Sequence, residues 1–112
     1  MSKRVWTQKE IFDYLLSNPL HVKVHTGSME SLNNEDYIFF DILSERVLGS
    51  DNNGIYLSTI QFTVATKDFD NRKTLVKYIK NQYVCTIDYD FVDEEEYYAA
   101  ICNTTLFMRE DE

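Results

Sequence analysis

Two cysteines and two histidines are the residues of this chain best suited to redox or metal chemistry. Cys85 and Cys102 flank a short acidic segment, and a hairpin centred between Asp93 and Glu94 would pair the two thiols on one face. A redox pair or half of a metal site is one interpretation. A structural zinc ion takes four ligands, however, and the sequence supplies no further two at a typical spacing. We therefore expect two reduced, buried thiols that act as small apolar side chains.

The other chemically suggestive residues are equally isolated. His21 and His25 lie four apart on an expected strand, hence on one face, but lack a third ligand, so we expect solvent-facing histidines near a sheet edge. Asp41 stands within an apolar strand and is either a tuned acid or, as we prefer, an edge-facing or hydrogen-bonded carboxylate. The chain has no glycine-rich phosphate loop and no Ser-His-Asp or Cys-His signature. We expect neither enzymatic activity nor a cofactor.

Charge is distributed unevenly along the chain, whose net charge is −8. Residues 1–87 hold ten acidic and ten basic side chains, whereas residues 88–112 hold nine acidic side chains against Arg109 alone. The whole imbalance therefore lies in the last 25 residues. Such polarity indicates an oriented contact, or a surface that repels polyanions. Binding of nucleic acid by this chain is disfavoured, because phosphate contacts supply most non-specific affinity.

A basic stripe on the second expected helix is the best candidate for the other side of such a contact. Lys73, Lys77 and Lys80 recur at i, i+4 and i+7, with Arg72 beside them. The stripe is either an ordinary solvated face or a surface that meets the acidic segment of a neighbouring subunit. The second case gives a head-to-tail contact, which closes into a ring or grows into a filament. The candidate interface residues are Arg72, Lys73, Lys77, Lys80, Asp93, Glu94, Glu95 and Glu96. Pairing between sheet edges is a second possible mode of oligomerisation.

The elements that must position these residues can be read from local signals. Thr7 and Glu10 form a capping box, which predicts a helix over residues 7–16 that ends before Pro19. Alternation and β-forming residues predict strands at 21–26, 37–43 and 55–66, the last with a bulge near Ser58 and Thr59, where the apolar phase changes. Asp68 or Asp70 begins a second helix that runs to about Gln82, and strands follow at 83–91 and 97–108.

Together these elements predict an α+β fold in the order α-β-β-β-α-β-β. We expect one domain over residues 1–112, with an antiparallel sheet of four or five strands and two helices packed on it. No apolar run approaches the roughly 18 residues of a membrane span, and the N-terminus lacks the apolar core of a signal peptide. Two cysteines are too few for a disulfide framework. We expect a cytoplasmic protein without a membrane partner.

The order of elements and several segments resemble the small tail-completion proteins of long-tailed phages, the tail-terminator or head-to-tail joining group. The resembling features are the early amphipathic helix at 7–16, the aromatic strand at 37–43, the strand at 60–64, the helix opening at 68–72 and the hairpin ending at 103–109. The resemblance covers most of the chain and is one of pattern. The acidic segment at 93–96 stands where the family has a glycine-rich or basic hairpin tip.

The resemblance implies a structural protein that assembles as a homo-oligomeric ring, commonly a hexamer. Such a ring caps the tail tube and joins it to the head connector. It assembles in the cytoplasm of the host bacterium and becomes part of the virion. The family has no catalytic residues and no cofactor. A second hypothesis comes from another class: a small acidic inhibitor or DNA mimic that occupies the nucleic-acid site of a host enzyme.

Overall fold

The described part of the chain is mostly β-structure. The structure is a computed structural model, and it describes residues 4–26, 35–47, 54–94 and 96–109. In chain order the elements are β1 (Val5–Trp6), α1 (Gln8–Leu16), β2 (Lys23–Thr26), β3 (Tyr37–Val47), β4 (Ile55–Thr66), α2 (Phe69–Lys80), β5 (Thr86–Val92) and β6 (Tyr97–Arg109).

The six strands of the described residues all belong to one curled, mixed sheet. Its order is β1-β6-β4-β3-β2, and β5 pairs with β6 off this path. β5 and β1 share the outer edge of β6: β5 pairs antiparallel with residues 97–103, and β1 pairs parallel with Phe107 and Met108. At the other end, β2 runs parallel to β3. The sheet therefore ends in β2 on one side and in β5 and β1 on the other.

The predicted fold class is wrong. An antiparallel sheet of four or five strands with two packed helices was expected, and the chain instead forms a mostly β structure around a mixed sheet of six strands. The strand that was missed is β1, which is only two residues long and has no periodicity to detect. The two parallel pairs, β1 with β6 and β2 with β3, depend on long-range register, which local alternation does not encode.

The core lies between the two helices and one face of the sheet, which we call the helix face. Even-numbered residues of the three central strands point into it, as alternation in a strand requires. α1 contributes Ile11 and Leu15, and α2 contributes Leu75, Val76 and Ile79. The sheet residues of the core include Ile38, Phe40, Ile60, Phe62, Val64, Ala100 and Cys102. The opposite face, which carries odd-numbered residues such as Phe39, Thr63 and Ile101, is called the open face.

Local capping signals place both helices. Thr7 Oγ1 accepts from the Glu10 amide at 3.1 Å and the Glu10 carboxylate accepts from the Thr7 amide at 3.0 Å, which confirms the predicted capping box of α1. Asp68 caps α2 by accepting from the amides of Asp70 and Asn71. The helices are also joined to each other, because the stacked rings of Tyr14 and Tyr78 each donate a hydroxyl hydrogen bond to the other residue's carbonyl oxygen, both at 2.6 Å.

Two predicted details of strand pairing are wrong by small displacements. The bulge expected in β4 near Ser58 lies in the neighbouring strand β3, where the register shifts between Ile42 and Ser44. The hairpin expected to pair Cys85 with Cys102 instead pairs Ile87 with Cys102. The turn of this hairpin has four residues and follows Val92, so the centre of the hairpin lies one residue further along the chain than predicted. Each side chain still lies on the predicted face of the sheet.

Candidate interaction surfaces

The basic stripe predicted on α2 is exposed to solvent. Lys73, Lys77 and Lys80 all lie on the outer side of the helix, away from its buried residues. Within the part of the chain that the structure describes, none of the three forms an ion pair with an acidic side chain. Their ammonium groups therefore remain accessible to an acidic surface outside this chain.

The acidic half of the predicted contact lies in the turn between β5 and β6. Asp93, Glu94 and Glu96 are exposed there, and Glu96 adopts a left-handed backbone conformation with φ of 56°. Glu95, the remaining member of the predicted interface, lies outside the described residues. Together with Asp88 and Asp90 of β5, these exposed side chains place five described carboxylates of the acidic C-terminal region on one hairpin.

Arg72 differs from the lysines of the stripe, because its guanidinium is engaged within the chain. Nη1 donates to the carbonyl oxygens of Asp90 at 3.3 Å and Ala99 at 3.2 Å. Those residues are paired neighbours on β5 and β6. The side chain therefore fastens the first turn of α2 to the hairpin, and only Lys73, Lys77 and Lys80 of the predicted basic residues project outward.

Around Arg72 lies a cluster of exposed aromatic rings, which we call the aromatic cluster. The guanidinium carbon is 4.9 Å from the ring centre of Phe69, 4.8 Å from that of Tyr89 and 5.6 Å from that of Tyr98. Phe91 extends the cluster through its contact with Tyr98, at 4.8 Å between ring centres. Phe69 is 50% exposed, Tyr89 58% and Phe91 43%. Phe69, Arg72, Lys73 and Tyr89 also line a pocket of about 240 Å³.

The aromatic cluster lies beside an unpaired sheet edge. Among the described residues, β5 pairs with β6 alone and β2 pairs with β3 alone. Five consecutive residues of β5, from Asp88 to Val92, are exposed. An edge strand with exposed apolar side chains presents backbone donors and acceptors to another chain. In β5 two of these groups already have partners within the chain, because the Phe91 amide donates to Asp90 Oδ1 and the Asp90 carbonyl oxygen accepts from Arg72. The signal for this surface was present in the sequence as the alternation of Ile87, Tyr89 and Phe91.

The thiols and histidines do not converge on a common site. Cys102 is fully buried, as expected, and burial raises the pKa of its thiol to about 12. Cys85 is only partly buried, and desolvation again raises the pKa of the thiol. No group of three or more His, Cys, Asp or Glu side chains that could hold a metal ion occurs among the described residues. His25 packs edge-on against Tyr37, while Asp41 lies half-buried on β3 opposite Gln61.

No protein-family model matches the chain, and no curated protein matches it. Neither described helix is long and apolar enough to cross a membrane. The functional inference therefore rests on the exposed aromatic cluster, the sheet edges and the distribution of charge.

Proposed function

We propose that this chain is a structural assembly subunit, specifically a tail-completion protein of a long-tailed phage or prophage. In this proposal several copies form a ring that caps the tail tube and joins it to the head. The observation that carries self-assembly is the aromatic cluster beside the free edge of β5. The phage role is supported by the resemblance in element order and sequence pattern described above.

The aromatic cluster supports assembly for a physical reason. Contiguous exposed apolar surface is uncommon on monomeric proteins and marks interaction sites. Tyr, Phe and Arg are also enriched where protein interfaces gain most of their energy. Here all three residue types occur together, and Arg72 already contacts the rings of Tyr89 and Phe69 within the chain. A preordered surface loses less conformational entropy when a partner binds it.

The acidic hairpin fits a ring through which DNA passes. Carboxylates repel phosphates, and the repulsion acts over a Debye length of about 8 Å at physiological ionic strength. Asp93, Glu94 and Glu96 are exposed on the projecting turn. If these turns line the channel of the ring, DNA would pass without adhering to the wall. This arrangement is an alternative to the charged contact described below, because a carboxylate paired with a lysine of a neighbouring copy no longer repels phosphate.

The function is tested by the state of association of the purified chain. Native mass spectrometry and light scattering are recorded from low to high micromolar concentration, with and without purified tail tubes. We expect a discrete ring, either free or formed on the end of the tube. A chain that stays monomeric at every concentration and does not bind tubes would contradict the proposal. If such a monomer instead competed with DNA for a nucleic-acid enzyme, the inhibitor hypothesis would replace it.

The predicted charged contact is tested by reversing the stripe. We infer that Lys73, Lys77 and Lys80 of one copy meet Asp93, Glu94 and Glu96 of another. The triple variant Lys73→Glu, Lys77→Glu, Lys80→Glu should then weaken association about tenfold or more, because three attractive pairs become repulsive. The matched control is Lys73→Gln, Lys77→Gln, Lys80→Gln, which removes charge without creating repulsion and should have a smaller effect. Association unchanged in the reversed variant would remove this contact and leave assembly itself in place.

A further inference from the structure

The two ends of the sheet carry complementary side chains on the same rows of the strand ladder. The register can be followed across the strands from β2 through β3, β4 and β6 to β5. One row runs Lys23, Tyr37, Ala65, Ala99, Asp90, and the row two residues away runs His25, Phe39, Thr63, Ile101, Asp88. Each of these rows therefore begins with a lysine or a histidine at β2 and ends with an aspartate at β5.

The row between these two carries apolar and aromatic side chains, and they lie on the other face of the sheet. It runs Val24, Ile38, Val64, Ala100, Tyr89. Val24 packs against the core at the β2 end, while Tyr89 is exposed at the β5 end. The apolar side chains lie on the helix face, and the charged ones lie on the open face. Both edges thus present apolar groups on one side and charged groups on the other.

Strand direction is compatible with joining these two edges. β2 is parallel to β3, and β3, β4, β6 and β5 alternate in direction. β2 and β5 consequently run in opposite directions within one chain. Copies related by rotation about an axis along the strands keep their strand direction. β5 of one copy would therefore meet β2 of the next as an antiparallel pair, with the helix faces on the same side.

We propose that copies of this chain join edge to edge, with β5 of one copy hydrogen-bonded to β2 of the next so that the sheet continues through the assembly. The joint rests on the proposed function, since it supplies the contact from which a ring is built. Asp90 then faces Lys23, Asp88 faces His25, and Tyr89 packs on Val24. The contact is head-to-tail, which permits closure into a ring.

A contact between two β5 edges is less favourable than this joint. An antiparallel pair of β5 strands centred on Tyr89 would place Asp88 of each copy opposite Asp90 of the other. Like charges directly opposite one another destabilise a sheet. Lys23 already forms an ion pair with Glu35 at 2.9 Å, but both side chains are more than half exposed, and such pairs are weak. Its ammonium group retains donors for the carboxylate of Asp90 of a neighbouring copy, whose Oδ1 already accepts from the Phe91 amide at 2.8 Å and whose second oxygen can accept from the lysine.

Charge exchange between two variants tests the joint. The basic variant carries Asp88→Lys and Asp90→Lys, so that its β5 edge becomes basic like its β2 edge. The acidic variant carries Lys23→Glu and His25→Glu, so that its β2 edge becomes acidic like its β5 edge. Each variant alone should associate about tenfold more weakly than the unmodified chain. An equimolar mixture should recover association, because every β5 edge then finds a β2 edge of opposite charge. The recovered assembly should contain the two variants in equal numbers by native mass spectrometry.

A variant with the same change in charge at other exposed acids is the matched control. Asp13→Lys, Glu45→Lys adds the same charge outside β5, outside β2 and outside the acidic turn, so it should not restore association of the acidic variant. Normal association of both edge variants, or failure of their mixture to recover, would overturn the joint. Neither outcome affects the proposed function, which instead fails if the unmodified chain never assembles.

Disulfide trapping tests the same joint without changing charge. In a Cys85→Ser background, Val24→Cys combined with Tyr89→Cys should form disulfide-linked oligomers under mild oxidation. Each variant with one added cysteine in that background should form at most a disulfide-linked dimer. Absence of linked oligomers from the double variant, under conditions where the unmodified chain assembles, would contradict the predicted pairing of Val24 with Tyr89.

Discussion

At the scale of single residues, Asn18 has the most complete set of partners of the buried polar groups that the structure describes. Its side chain is fully buried. Nδ2 donates to the carbonyl oxygens of Leu15 at 2.8 Å and Val22 at 3.1 Å, while Oδ1 accepts from the amides of Leu20 and Val22. These bonds hold the connection from α1 to β2, in which His21 adopts a left-handed φ of 55°.

Replacing Asn18 should therefore destabilise the whole chain. Asn18→Ala leaves buried carbonyl and amide groups without partners, and we expect a loss of about 3 kcal/mol in the free energy of unfolding. Asn18→Asp should be no better, since its second oxygen would face two carbonyl oxygens. Urea denaturation measures both. Ser17→Ala, which removes an exposed bond to the Asp13 carbonyl oxygen, is the control and should change stability little. Similar stability of Asn18→Ala and Ser17→Ala would contradict this role.

At the scale of elements, Arg72 connects α2 to the hairpin of β5 and β6. Removing its two hydrogen bonds and its ring contacts should loosen β5, which pairs with a single described neighbour. We expect Arg72→Ala to increase the amide hydrogen exchange of residues 86–92 about tenfold, a change equivalent to about 1.4 kcal/mol in local opening. Lys73→Ala, one residue along the same helix turn and exposed, is the matched control. Equal exchange in the two variants would show that Arg72 does not hold the hairpin.

Elements that depend on neighbouring residues were predicted well, and those that depend on distant residues were not. The capping box defines α1, and Asp68 defines the start of α2, because both act within one helical turn. The phase change of β4 was recognised, yet the bulge belongs to β3. A change of apolar phase in one strand does not reveal which of two paired strands carries the extra residue. Trp6 directly precedes the cap of α1, and no local signal indicates that it pairs with Met108 at the far end of the chain.

At the scale of the whole molecule, the central strands extend well beyond the helices. β4 has 12 residues and β6 has 13, whereas α1 has 9 and α2 has 12. Since a strand rises about 3.3 Å per residue and a helix about 1.5 Å, the helices cover only part of the sheet length. This explains the elongated dimensions of 48 × 30 × 22 Å. Past the bulge, the apolar residues Leu57 and Phe107 pair on the open face.

The positions of the candidate interface residues could be derived from the sequence only in part, and the interface itself stays a prediction. Sequence reasoning located the acidic turn and the lysines of α2, because both are contiguous or periodic. It could not assign Arg72 to an intramolecular role, since Asp90 and Ala99 are 18 and 27 residues away. The match between Lys23 and Asp90 was also invisible, because it emerges only when the register of four successive strand pairs is known.

The stability of the whole chain should fall at alkaline pH. Burial raises the pKa of the Tyr14, Tyr78 and Tyr83 hydroxyls above the ordinary value of 10.0, and raises the pKa of the Cys102 thiol to about 12. For each group the folded state holds its proton more tightly than the unfolded state. The resulting stabilisation is fully present below the ordinary pKa and is lost as pH rises, because the unfolded chain ionises first.

Tyr83→Phe isolates the largest part of this effect. The Tyr83 ring is buried against Trp6 and Phe62, and its hydroxyl has no hydrogen-bond partner among the described residues. At pH 7 the variant should be about 1 kcal/mol more stable, because an unsatisfied buried hydroxyl is removed. Above pH 10 the advantage should grow by up to about 1.4 kcal/mol per pH unit until the folded state also ionises. Urea denaturation at pH 7, 9, 10 and 11 measures the difference, and a constant difference across that range would contradict the assignment of Tyr83 as the main alkaline-sensitive group.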